Sequence, residues 1–154
     1  MSISDDGIPV PYVAHYFALE LDGIEVAHFM EFSGLKSSTT VFEIEEGGLN
    51  GRTHKRPGQS KWDNITLRYA TSASTTIMDW RSDYLQDVFS DREGYTATLK
   101  MIDSESNSAE PTILRTFTFS NAWPVSWEGP SLKSDSSALA LEAVEIAFDD
   151  VVVE

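Results

Sequence analysis

The stretch VAHYFALELDGIEVAHFMEF, residues 13–32, decides the fold. Val13, His15, Phe17, Leu19 and Leu21 fall on one side of an alternating pattern, and Ala14, Tyr16, Ala18 and Glu20 on the other. That period of two is the mark of a half-buried strand. Asp22-Gly23 follows, the dipeptide that two-residue hairpin turns favour because both positions need positive φ. The return strand runs over about Glu25–Phe32, with Val26, His28, Met30 and Phe32 sharing a face. The chain therefore opens on an antiparallel hairpin.

Outward from this hairpin, Ser33-Gly34 breaks the pattern and a third strand is expected over about Ser37–Glu46, with Thr40, Phe42 and Ile44 on its apolar side. Gly47-Gly48-Leu49-Asn50-Gly51 is flexible by composition, and the basic stretch Arg52–Gly58 comes next. Alternation resumes over about Lys61–Tyr69 through Ile65, Leu67 and Tyr69. Thr75–Phe89 is the clear helix: Ile77, Trp80, Tyr84 and Val88 form a stripe that Leu85 widens. Thr76 is the expected N-cap, and Asp79 suits the positive end of the helix dipole.

Further strands are expected over about Tyr95–Ile102 and Thr112–Ser120, joined by the polar loop Asp103–Glu110. A short strand follows through Trp123, Val125 and Trp127, closed by Gly129-Pro130. Ala138–Phe148 is ambiguous: Leu139 and Leu141 alternate on one parity, and Val144, Ile146 and Phe148 on the other. A strand with a bulge near Glu142-Ala143 is favoured over a helix through Leu139, Ala143, Ile146 and Ala147. The fold class is mainly β: an antiparallel β-barrel or sandwich with one flanking α-helix and a projecting β-hairpin arm. The 154 residues read as a single domain, with residues 1–12 a flexible N-terminal segment and 43–64 the arm.

Composition narrows the function. With no cysteine, disulfides, thiolate metal sites and a Cys nucleophile are excluded. The acidic start MSISDDGIPVPYV has no apolar core of a signal peptide, and no apolar run is long enough to span a bilayer. Eleven basic against 25 acidic side chains give a net charge of −14, which opposes tight binding to nucleic acid or anionic lipid.

Catalytic patterns are not found. His15 and His28 flank the first hairpin on apolar faces, where hydrogen-bonded structural histidines are expected in place of a zinc pair. His54 has no carboxylate at motif spacing. The Gly47–Gly51 run lacks the Gly-Lys-Ser/Thr of a phosphate cradle. Neither the Glu43, Glu45, Glu46 cluster nor Asp149-Asp150 sits among apolar residues that would raise a carboxyl for acid–base work. No catalytic residue, cofactor or metal is expected.

The charge pattern of the arm is not random. Arg52, Lys55, Arg56 and Lys61 place four of the eleven basic residues within ten positions, directly after Glu43, Glu45 and Glu46. If the flanking strands pair, each leg of some eight residues reaches about 26 Å. An isolated two-stranded hairpin is marginal in water, so such an arm needs a partner surface. Glu43, Glu45, Glu46, Leu49, Arg52, Lys55, Arg56 and Pro57 are the candidate contact residues between rings or subunits.

Several segments together resemble the phage tail-tube proteins of contractile tails and the inner-tube proteins of contractile injection systems. They are Phe32-Ser33-Gly34-Leu35, Glu43–Asn50, Arg56-Pro57-Gly58, Asn64–Tyr69, Trp80, Asn121–Pro130 and Glu142–Ile146. The resemblance runs from about residue 13 to 151. It implies hexameric rings whose strands join into a barrel around a channel, stacked into a tube inside a sheath. Implied partners are the chain itself, a sheath protein, baseplate and tube-terminating proteins, and protein or DNA cargo in the lumen, with no membrane insertion by this chain. Assembly is expected in the bacterial cytoplasm, giving a component of a phage-tail-like particle or virion. The resemblance also favours a strand for the last segment. Where the family often has Lys-Leu-Pro-Gly in the arm, this chain has Lys55-Arg56-Pro57-Gly58.

The function expected is a structural subunit of the inner tube of a contractile injection system, and not an enzyme. One alternative is the DNA-conducting tail tube of a contractile-tailed phage. Another, of a different class, is a stand-alone acidic β-sandwich that binds a ligand through exposed Trp123 and Trp127.

Overall fold

The structure is a computed structural model. It describes residues 16–45, 47–48, 51, 53–86, 94–103, 112–135 and 137–154. The expected first hairpin forms: β1 (Tyr16–Leu21) pairs with β2 (Ile24–Phe29). Asp22 and Gly23 have φ of 50° and 83°, the positive pair that a tight right-twisted hairpin demands. The Asp22 amide and carboxylate both bond the backbone of Thr96, which ties the turn to its neighbour. The return strand breaks after Phe29, and β3 (Glu31–Ser33) leaves to pair elsewhere.

The remaining elements are β4 (Ser37–Glu45), β5 (Thr53–Trp62), β6 (Ile65–Ala70), α1 (Thr76–Gln86), β7 (Tyr95–Asp103), β8 (Thr112–Glu128), β9 (Leu141–Ala147) and β10 (Asp150–Val153). Eight strands form one antiparallel sheet in the order β2-β1-β7-β8-β9-β6-β3, with β10 also on β8. The sheet does not close into a barrel; it folds over on itself as a sandwich. Its two ends, β2 and β3, are consecutive in the chain, and the Met30 amide between them bonds the Arg68 carbonyl at 2.9 Å.

β8 makes the fold possible. Its first half pairs with β7 and β10, and its second half with β9. The two short strands expected over Thr112–Ser120 and Trp123–Trp127 are thus one strand of 17 residues that serves both layers. It turns the corner at Asn121, whose φ of 53° is unusual for a residue with a side chain. Asparagine tolerates this conformation because its amide bonds locally. Here the amide oxygen accepts from the Gly94 amide, and the nitrogen donates to Asp149 at 2.9 Å.

Between the layers lies an apolar core. Leu19, Phe29, Leu67, Leu99, Phe119, Val144 and Ile146 are fully buried. Phe32 of β3 reaches across to Phe117 and Phe119 of β8, and Phe119 meets Phe148 edge-on at 4.7 Å between ring centroids. The helix closes one side, with Ile77 and Trp80 buried. Tyr84 is half-buried and Leu85 is 53% exposed, so the stripe is narrower than expected; Val88 lies outside the described residues. The N-cap is Thr75, not Thr76: its carbonyl accepts the first helical bond from Asp79, and its hydroxyl donates to the Asp79 carboxylate.

The last segment is a strand. Its expected bulge near Glu142-Ala143 is absent, for β6 and β9 pair in unbroken register. The extra residue is instead in β8, between Pro124 and Ser126. Leu139 precedes the strand and Leu141 merely starts it, both exposed, so their opposite parity marked a strand end and not a bulge.

Tyr69 joins three strands. Its hydroxyl accepts from the Trp127 indole at 3.0 Å and bonds Glu142. Burial, and then the Glu142 carboxylate, hold its ionisation well above the usual tyrosine range.

Two outcomes follow from these contacts. Asn121→Ala loses both side-chain bonds and places an unfavourable side chain at positive φ, at a cost of about 2 kcal/mol. Asn121→Gly keeps the corner and should cost about half as much. Urea denaturation of the two variants checks the order, and wild-type stability for both would remove Asn121 from this role. The second outcome concerns alkaline pH. Unfolded chains lose the tyrosine proton near pH 10, while folded Tyr69 keeps it, so stability falls as pH rises above about 10. Tyr69→Phe should flatten that fall in denaturation curves taken at pH 9 to 12; an unchanged slope would contradict it.

Candidate assembly interface

β4 and β5 form a sheet of two strands. Their contacts are with each other, with at most passing contact to any other element. With nine and ten residues, they extend about 30 Å from the body. The pairing extends down to Ser37 and Trp62, below the stretch from 43 that the charges marked.

The base of this arm is built firmly. The Asp63 amide bonds the Lys36 carbonyl, and Trp62 packs on Phe148 at 6.2 Å. Gly34 lies with φ of 89° against the chain at Asn64; a Cβ there would sit 2.6 Å from the Asn64 carbonyl oxygen. Asn64 in turn donates to Glu145 of β9 at 2.8 Å. The Ser33-Gly34 break is thus the point where two chain segments touch.

Register sorts the candidate contact residues onto two faces. Glu43 lies opposite Lys55, and Val41 opposite Pro57, with Glu45 on the same face. Phe42 lies opposite Arg56 and Ile44 opposite His54 on the other face. The neighbouring cations Lys55 and Arg56 therefore serve different sides of the arm. Glu46, Leu49 and Arg52 lie outside the described residues. Charge alone did not point to Val41, Phe42 and Ile44, which are 55%, 58% and 41% exposed. The available signal was an apolar alternation inside the very segment that the charges projected outward.

Residues 37–62 hold three acids and four bases, a net of +1. The rest of the chain holds the other 22 acids and seven bases, a net of −15. A cationic arm thus stands on an acidic body. The body also has strand edges. β10 pairs only with β8 and β2 only with β1 among the described residues, and Val152 and Val153 on β10 are about half exposed.

Other chemistry is less developed. Among the described residues, no group of three or more His, Asp or Glu is placed to hold a metal. His28 bonds Glu25 at 2.7 Å at the surface, and His15 lies outside the described residues. Trp123 is half-buried and stacks on Tyr84 at 5.2 Å, while Trp127 is half-buried and bonded to Tyr69. The aromatic platform of a ligand-binding sandwich is therefore turned to internal packing. No helix among the described residues is long and apolar enough to cross a membrane.

A sandwich with open edges and an unsupported arm defines an assembly subunit, a protein whose surfaces are shaped for copies or partners. The family is found in the sequence: residues 13–152 match the model of the T4-like virus tail tube protein gp19, and the chain belongs to that family. Its product is a tube subunit. Solved structures agree. The chain is similar to one from the sheath-tube complex of an extracellular contractile injection system, PVC, in its extended state, at 25% identity, TM-score 0.75 and 99% coverage of both chains. It is similar to one from the PVC sheath/tube terminator at 26% identity and TM-score 0.75, covering 96% of this chain and 99% of that one. In fold it is also similar to a chain of the anti-feeding prophage baseplate, at 20% identity and TM-score 0.72, covering 96% and 97%. Among curated protein sequences there is no match.

The base of the arm yields a comparison within one protein. Gly23 also has positive φ, but a Cβ there meets nothing within 4 Å. Gly23→Ala should cost about 1 kcal/mol of conformational strain. Gly34→Ala adds a backbone clash and should cost about 2 kcal/mol more. Thermal unfolding of both variants tests this; equal losses would show that the close approach at Asn64 is not a constraint.

Proposed function

We propose that this chain forms hexameric rings that stack into the inner tube of a contractile, phage-tail-like injection system. The observation that carries the reading is the arm: a long two-stranded sheet that, among the described residues, has no second layer beneath it. A surface of this kind is unstable alone and reaches beyond the subunit, as a contact between successive rings must. The unpaired edges of β2 and β10 are suited to lateral pairing within a ring. A head-to-tail contact that does not close on itself then generates a filament.

The chains it resembles at 25% and 26% identity come from assemblies with a sheath and a tube terminator, and a structural neighbour comes from a baseplate. By that likeness the partners here are a sheath protein outside, a baseplate at one end and a terminator at the other. Subunits of charge −14 give a lumen that repels acidic cargo and lets it slide. Protein effectors are the cargo on this reading, and the chain acts as a structural part with no catalysis of its own. Assembly takes place in the bacterial cytoplasm before the particle acts. The viral name of the matching family supports a second reading, a virion tail tube that conducts DNA.

Stacking on this account is steered by charge. The side chains that act on this account are Glu43, Glu45 and Glu46 with Arg52, Lys55 and Arg56, repeated around the ring, with Leu49 between the two groups in sequence and Pro57 directly after them. Each exposed pair contributes only about 0.2–1 kcal/mol, but the repeats sum. Purified protein should form rings and tubes by negative-stain microscopy, and a strictly monomeric species at every concentration and salt would overturn the reading. Reversing Arg52, Lys55 and Arg56 to Glu should leave circular dichroism unchanged and shorten or abolish tubes. Salt should do part of the same, since screening acts within about 8 Å at physiological ionic strength. Long regular tubes from the folded triple variant would show that these charges do not steer stacking.

A further inference from the structure

A strand paired on one side has a second edge, and an open edge is a template for another chain. The edge of β4 invites such pairing. Over Thr39–Ile44, five of six residues are β-branched or aromatic and Glu43 is the lone charge. That is the composition of a segment that stacks into cross-β fibres. Val41, Phe42 and Ile44 within it are exposed, and among the described strands β4 pairs with β5 alone.

Charge decides which edges of two arms can meet. β4 carries Glu43 and Glu45, and β5 carries Lys55, Arg56 and Lys61. Two β4 edges repel each other, as do two β5 edges, because like charges set opposite one another destabilise a strand pair. The β4 edge of one copy and the β5 edge of another attract. A junction of that kind leaves an edge free at each end and repeats without closing, so it would draw arms into a fibre.

β5 is built against this junction. Pro57 pairs with Val41. A proline has no N–H to exchange in a hydrogen-bonded pair, so this pair is of the other kind, and the Pro57 nitrogen faces away from β4. The outer edge of β5 therefore lacks a donor at mid-strand. Directly beyond, Gly58 and Gln59 together stand against Thr40, since Thr39 pairs with Ser60 and Val41 with Pro57. This bulge bends and twists the same edge. Gly58 fits there for want of a side chain: a Cβ would lie 2.5 Å from the Phe42 ring. β4, by contrast, has neither proline nor glycine.

We propose that Pro57 and the Gly58–Gln59 bulge block strand addition between arms and so keep dispersed subunits from joining edge to edge into fibres. Blocking one edge is enough, because every junction between unlike edges uses one β5. The block does not rest on the tube reading, for it concerns only the outer edge of β5.

Pro57→Thr restores the missing donor, and deletion of Gln59 from that variant also restores a regular register. Dispersed wild-type and variant proteins are agitated and followed by thioflavin T fluorescence and negative-stain microscopy. Wild type should stay free of fibres. Both variants should form thioflavin-positive fibres at least tenfold sooner, with a strand spacing of about 4.7 Å in diffraction. Val41→Lys added to Pro57→Thr should suppress them, because a cation at the centre of β4 then meets the cations of β5. Two variants as free of fibres as wild type would overturn the proposal. So would fibres that persist with Val41→Lys, since those would arise from a weakened core and not from the β4 edge.

Discussion

The structure depends on one imbalance: among the described strands β4 and β5 pair only with each other, yet they extend well beyond the core. Pairing satisfies the backbone along the shared edge of the two strands. It does not bury the side chains, and Val41, Phe42 and Ile44 stay open. In a monomer this would be a fault. On the proposed function it supplies the driving force for stacking, because apolar area left uncovered at folding is available for association. The firm base at Gly34, Asn64 and Trp62 serves the same end. An arm fixed at its root loses less entropy when its tip docks than a loop that swings freely.

The body supplies the rigid frame. One strand, β8, belongs to both layers, and its corner is pinned by the Asn121 amide between Gly94 and Asp149. Movement of one layer would have to pass through that corner. The helix adds to it, since Arg81 donates to the Pro124 carbonyl at 2.7 Å, just past the turn. A frame held in this way sets the direction of the arm and of the β2 and β10 edges relative to one another. Regular assembly needs this, because a filament repeats any angular error at every step.

Much of this was legible in the sequence, and the exceptions have physical causes. The first hairpin was plain, because alternation and Asp22-Gly23 agree. So was the helix, apart from a cap displaced by one residue and Leu85 left exposed; its expected last turn lies outside the described residues. β8 read as two strands because Asn121 and Pro124 look like breaks; a positive φ bends a strand without ending it. β5 was expected only as the second leg of the arm, with alternation resuming at about Lys61, because Arg56-Pro57-Gly58 is turn chemistry. In a two-stranded sheet Pro57 is on an edge strand, which tolerates its missing N–H, and Gly58 occupies a bulge. The arm was legible through its charges, but the two faces were not. Which of Lys55 and Arg56 joins the acids depends on register, and a bulge shifts register by one residue.

Hydrogen exchange on dispersed and assembled protein tests the central claim most directly. That claim is that the arm is completed by a second copy and not by its own body. Amides of Val41–Ile44 and Thr53–Arg56 should exchange quickly in dispersed subunits and become strongly protected in tubes. Core amides such as those of Leu67, Leu99 and Phe119 should be protected equally in both. An arm already protected in dispersed subunits, or one that still exchanges quickly within intact tubes, would contradict the account.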